Sequence, residues 1–172
     1  MVSYIVPKAF SLDNYVFLID GSCNFLKWYG NTLTIAFFVT IISTFFVICT
    51  SYALSRMRFA GRTFLMKFWL VLGLFPAFLS LICMYFLLKE IGLTQEGAIP
   101  GLILIGVACS GMGYFVCKGY FDTIPKSLDE AARIDGATRA QVFVQMILPL
   151  SKPIVIYTAL VAFMVPWCDY IT

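Results

Sequence analysis

A chain of 172 residues that is 61% apolar, 17% aromatic and only 12% charged has too little polar material to cover a water-soluble domain. Its mean hydropathy of +0.92 reads as a membrane protein. The net charge of +3 is small, no nucleic-acid partner is expected, and the absence of histidine removes the commonest general base and metal ligand together.

Residues 1–29 carry Pro7, Lys8, Asp13, Asp20 and Lys27 without a long apolar run, so no signal peptide is read there. Three stretches then lack charge over a spanning length: Lys27 to Arg56, Lys67 to Lys89 and Glu96 to Lys118. A helix rises about 1.5 Å per residue, so about 20 residues cross a hydrocarbon core of about 30 Å. A fourth run, PIVIYTALVAFMVPWC, ends against Asp169. The expectation is an all-α, polytopic integral membrane protein. It is one transmembrane domain with about four spans, at 31–54, 66–88, 99–118 and 149–168.

The lysine and arginine distribution orients these spans. Arg56, Arg58, Arg62 and Lys67 follow the first, and Lys118, Lys126, Arg133 and Arg139 follow the third. Lys89 follows the second, beside Glu90 and Glu96. The first and third connections are therefore read as cytoplasmic, and residues 1–29 and the KEIGLTQEGA loop as external. An external N-terminal segment without a signal leads to the expectation of a further span before residue 1.

Within the third connection, seven charged side chains fall in residues 118–136. Burying all of them at a bilayer centre would cost about 20 kcal/mol on insertion scales, so residues 125–148 are expected outside the hydrocarbon. SLDEAARIDGATRAQ reads there as two short helices joined by a tight corner. Ser127-x-x-Glu130 and Thr138-x-x-Gln141 both have capping-box spacing. Pro125 discourages a helix from running straight through, and Gly136 suits a left-handed helix end. Leu128, Ala131 and Ala132 share a small apolar face ringed by Asp129, Glu130 and Arg133. Such a face describes either a docking element or an amphipathic helix lying at the membrane interface.

Glu130-Ala131-Ala132, three residues, Gly136, nine residues and Met146-Ile147-Leu148-Pro149 resemble the EAA motif of ABC importer permeases, EAA-x3-G-x9-I-x-L-P, with Met146 in place of isoleucine. The block KGYFDTIPKSLDEAARIDGATRAQVFVQMILPLSKP, with SYALSRMRFAGR and FPAFLSLICMYFLLKEIGL, is similar to the carbohydrate-uptake, maltose-system G-type family. The resemblance implies a sugar-importing permease subunit, not itself an enzyme. It implies ATP bound by cytoplasmic ATPase subunits, a second permease subunit as a heterodimer partner, and an external solute-binding protein. It assigns the corner as the coupling helix. Leu128, Glu130, Ala131, Ala132, Asp135, Gly136 and Ala137 would dock the ATPase, with Ser127 and Thr138 as caps. The family has six spans, so the chain is expected to be a truncated subunit. The competing readings are a permease for another solute and a non-conducting membrane scaffold.

No other constellation carries chemistry. Gly111-Met112-Gly113 lacks the third glycine of a dinucleotide loop, and Lys118 is outside P-loop spacing. The six cysteines are scattered, so they are read as packing residues, with no metal site and no cofactor on this chain. Gly106, Ser110, Gly111 and Gly113 suit close helix packing more than a translocation path. Pro76 is expected to kink the second span. Tyr85, Tyr114, Tyr120 and Trp167 are better explained by interfacial belts than by sugar stacking, and no substrate contact is assigned.

Overall fold

The computed structural model describes residues 12–19, 24–74, 77–94, 98–110 and 113–169. The chain divides into two compact units, Met1–Thr34 and Ile35–Thr172. Among the described residues the secondary structure is helical, with no strand. In chain order the helices are α1 (Asp13–Ile19), α2 (Phe25–Arg56), α3 (Arg62–Leu72), α4 (Ala77–Ile91), α5 (Ile99–Cys109) and α6 (Gly113–Thr123). There follow α7 (Lys126–Ile134), α8 (Arg139–Gln141), a π-helical turn at Val142–Ile147, α9 (Leu148–Leu150) and α10 (Lys152–Cys168).

Only α2, at 32 residues, is by itself long and apolar enough to cross a bilayer among the described residues. It contains the stretch expected at 31–54 and starts earlier, because a lysine at position 27 does not interrupt helical hydrogen bonding. The pairs α5 with α6, bent by 44°, and Arg139–Leu150 with α10, bent by 80°, are each long and apolar enough when taken together, as a broken span or a re-entrant loop. The span expected at 66–88 falls on two shorter helices, α3 and α4. Pro76, with its expected kink, lies outside the described residues, as do Cys23 and Gly111.

The run expected to begin at 149 instead turns sharply at Ser151 before α10 starts at Lys152. Pro149 and Pro153 both lack an N–H, so helical bonding is weakest between them. The Ser151 N–H donates back to Ile147 O (2.9 Å) and Leu148 O (3.2 Å), which closes the preceding turn. Pro153 then occupies the first turn of α10, where a missing N–H costs nothing.

In the second unit, α2 buries a stripe of Ala36, Val39, Ser43, Val47, Ser51, Leu54 and Ser55, at the three- and four-residue spacing of one helix face. Against it lies α6, which buries Tyr114, Cys117 and Phe121. The Ser51 hydroxyl donates to its own turn at Val47 O and is also 3.1 Å from Tyr114 O. Cys117 Sγ meets Thr158 Oγ1 of α10 at 3.0 Å, so this cysteine is the packing residue expected of it. Two apolar clusters result. One joins Val47, Leu54, Tyr114, Cys117 and Ile154. The other joins Ile48, Tyr52, Phe121, Ala132, Val142 and Ile147. Large apolar side chains such as Phe37, Phe45, Phe86, Leu87, Leu160 and Met164 point outwards. That exterior suits hydrocarbon as solvent, since the helices satisfy their own backbone groups.

Candidate docking corner

The corner is built from α7, the turn at residues 135–138, and α8. Pro125, at φ −58° and ψ 133°, is the N-cap of α7, and no side chain caps that end. Ser127 is therefore not the cap that its spacing predicts. The proline's extended backbone starts the helix two residues earlier, which places Ser127 inside the first turn. The other end closes as a Schellman motif. Ala137 N–H donates to Ala132 O (3.0 Å) and Gly136 N–H to Arg133 O (3.2 Å), with Gly136 left-handed at φ +85°.

Thr138 then caps α8 with a complete capping box. Its Oγ1 accepts from Gln141 N–H (3.3 Å), while Gln141 Oε1 accepts from Thr138 N–H (2.8 Å). The helix widens directly afterwards into the π turn. Residues five apart come to one side there, and Val142 and Ile147 are both buried.

Packing decides which face of α7 is free. Ala132 is only 6% exposed, seated against Ile48, Tyr52 and Phe121, so it does not share an outward face with Leu128 and Ala131 as the sequence predicts. The outward face is Ser127, Glu130, Ala131 and Ile134, at i, i+3, i+4 and i+7, all exposed. Ile134 reaches 86% exposure, and Leu128, at 36%, lies beside that face. Asp135 and Gly136 are also exposed, and Ala137 is half-buried against the cluster. Ile134 was absent from the sequence assignment, although its seven-residue spacing from Ser127 signals the shared face.

Underneath, the C-terminal end of α2 holds the corner through Tyr52, Ser55 and Arg56, of which the sequence marks only Arg56, as positive charge. Arg56 Nη2 donates to Phe121 O (3.0 Å) and Ile124 O (2.8 Å), and its Nε lies 3.3 Å from Asp129 Oδ2. The two side chains are 5% and 17% exposed. Tyr52 lies against Phe143 with ring centroids 4.5 Å apart and the planes tilted by 38°, and meets Phe121 edge-on at 6.3 Å. Ser55 Oγ donates to Asp122 Oδ1 (2.6 Å), and Lys118 pairs with the other oxygen of Asp122. Asp122 lies past the end of the apolar run at Lys118. Burial opposes its ionisation, but the hydrogen bonds from Lys118 and Ser55, with the fields of Lys118 and Arg62, hold its carboxyl below the usual carboxylate range.

The aromatic residues weighed for sugar stacking are dispersed. Tyr114 is 1% exposed, with its ring 4.4 Å from Trp69 and 4.3 Å from Phe115. Tyr120 donates to Leu150 O (3.3 Å), while Tyr85 and Trp167 are exposed. The structure does not bring these four together into one site.

Residues 48–172 match the family model described as "Binding-protein-dependent transport system inner membrane component". The chain belongs to this family. It is similar to the maltodextrin transport system permease protein MdxG of Bacillus subtilis (strain 168), 39% identical over 163 residues, covering 95% of the chain and 58% of MdxG. The galactooligosaccharides transport system permease protein GanQ of the same organism is 37% identical over 169 residues, covering 97% of the chain and 59% of GanQ. Among solved structures, a bacterial ABC transporter involved in the import of the acidic polysaccharide alginate matches with a TM-score of 0.71 at 29% identity. That match covers 81% of the chain and 48% of the transporter chain. The chain thus spans less than two thirds of the length of these curated relatives. The family is one of transport components, and the EAA corner lies inside the matched region.

Proposed function

We propose that the chain is a membrane-spanning subunit of an ATP-driven importer of sugars or oligosaccharides, and that it couples to ATPase subunits through the corner at residues 125–148. The observation that carries this reading is the free face of α7. Glu130, Ala131 and Ile134 stand outward on a helix closed by a glycine turn, while Ala132 and Asp129 on the other side are tied into the chain's own core. An element lying passively at an interface needs no such fixing; one that receives a mechanical push does.

In this reading α2, α3 with α4, α5 with α6 as far as Lys118, and α10 supply four spans. The arginine-rich connection after α2 and residues 125–148 face the cytoplasm. ATP binds to and is hydrolysed on the separate subunits. A second permease subunit completes the pathway, and an external binding protein delivers the solute. The names of the relatives support the substrate class, since maltodextrins and galactooligosaccharides are both oligosaccharides.

The test is retention of the ATPase subunit by the tagged permease in detergent, comparing wild type with Glu130→Arg, Ala131→Arg and Ile134→Asp. All three changes lie on the exposed face and leave the buried side of α7 intact. Loss of retention in all three supports the docking face. Unchanged retention refutes it. Uptake of labelled maltodextrin and galactooligosaccharide by the assembled transporter then tests the sugar class.

A further inference from the structure

A corner that receives a push must pass it on, and Pro125 stands in the way. Proline has no N–H and here adopts an extended conformation, so helical bonding does not run from α6 into α7. By backbone alone the junction is a swivel. One set of polar contacts spans it from a third element, beside the apolar packing of Ile48 and Tyr52 with Phe121 and Ala132. Arg56, the last residue of α2, donates from Nη2 to Phe121 O and Ile124 O on the α6 side, and its Nε is 3.3 Å from Asp129 Oδ2 on the α7 side. Ser55 adds a bond from the same turn of α2 to Asp122 of α6.

We propose that Arg56 is a positioning residue for energy coupling, a clamp that locks α7 and the end of α6 to α2 so that displacement of the corner moves the longest helix of the chain. This rests on the docking reading above. A guanidinium suits the task because its planar fork serves several oxygens at once from a fixed geometry. Lysine at this position keeps the charge but offers a compact point of donors, and glutamine keeps a donor without the charge. The pair is nearly dry, so the contact is not screened away as a surface ion pair would be. Arg58 carries the same charge two residues on but is exposed, which makes it the internal control.

The experiment uses the assembled transporter in proteoliposomes, with radiolabelled maltodextrin as the transport probe. Arg58→Gln is expected to match wild type. Arg56→Lys and Arg56→Gln are expected to retain the ATPase subunits, yet to lose about tenfold in maltodextrin imported per ATP hydrolysed, the scale of a lost coupling between sites. Hydrogen exchange of the α7 amides should rise about tenfold in both variants while that of α10 is unchanged, reporting local rather than global loosening. An unchanged import-to-hydrolysis ratio in both variants overturns the proposal. So does poor assembly with wild-type coupling in the fraction that assembles, because that is a purely structural role. If wild type itself retains no ATPase subunit, the docking reading falls. The α7 exchange then decides the clamp alone: faster exchange supports the tie between α2 and α7, and unchanged exchange overturns it.

Discussion

Gly136 offers the cleanest perturbation of the corner because two contributions to its replacement can be separated. A Cβ built at Gly136 meets nothing within 4 Å, so a side chain there costs no packing. What remains is the backbone, held at φ +85°. An L-residue in the left-handed region costs about 1–2 kcal/mol. Replacing glycine also reduces the freedom of the unfolded chain, which returns about 0.4–1 kcal/mol. The net loss for Gly136→Ala is then about 1 kcal/mol, or about a fivefold rise in the open population of the turn. Valine, β-branched and a genuine outlier at positive φ, should cost about 2–3 kcal/mol, whereas asparagine tolerates the region and should cost least. The assay is hydrogen exchange at the Ala137 amide, which bonds Ala132 O across the turn, with the protein in lipid nanodiscs. Gly119 supplies the opposite sign. A Cβ there also meets nothing within 4 Å, but the residue sits inside α6, so Gly119→Ala should stabilise by about 0.5–1 kcal/mol. Equal exchange in the Asn, Ala and Val variants of Gly136, or the same sign for alanine at both positions, would refute the assignment of the turn to backbone conformation.

The two predicted caps should separate in thermal stability: Thr138→Ala removes a formed capping box and should cost about 0.5–2 kcal/mol, while Ser127→Ala should fall within about 0.5 kcal/mol of wild type. A Cβ at Gly106 would lie 2.7 Å from Val39 Cγ2, so Gly106→Ala should destabilise by about 1–3 kcal/mol. The double variant with Val39→Ala should be less damaged than the sum of the singles by about 0.5 kcal/mol or more, read from a double-mutant cycle of unfolding midpoints. Asp122 predicts a pH effect. Its folded value lies below the ordinary 3.8, so its contribution is complete above that value and is lost as pH falls through the lower, folded one. In detergent, the melting point of wild type should converge on that of Asp122→Asn as pH drops below about 4, and a constant gap would contradict the assignment.

The corner was readable in the sequence wherever its chemistry is local. Gly136 and the Thr138 box depend on residues three to five positions apart, and both appear in the structure as spacing predicts. Ser127 has the same spacing and fails, because Pro125 fixes an extended backbone that takes the cap position first. The orientation of α7 was not local. Leu128, Ala131 and Ala132 form one small apolar group by spacing, but Tyr52 and Phe121 arrive from α2 and α6 and draw Ala132 inward, which turns Ile134 out.

Arg56 was the least legible. In a chain with so few charges, an arginine at the end of an apolar run reads first as an orientation signal, and its pairing with Asp129 joins residues 73 positions apart. Nothing in a single sequence distinguishes it from Arg58. Burial does: one guanidinium lies under the corner and the other in solvent-accessible surface. The charge of Arg56 is met by Asp129 and its Nη2 by two carbonyls, while its Nη1 is buried without a hydrogen-bond partner. A free end of α2 would need no such arrangement. Its presence at a junction where backbone bonding is interrupted is what turns a topology marker into a mechanical element.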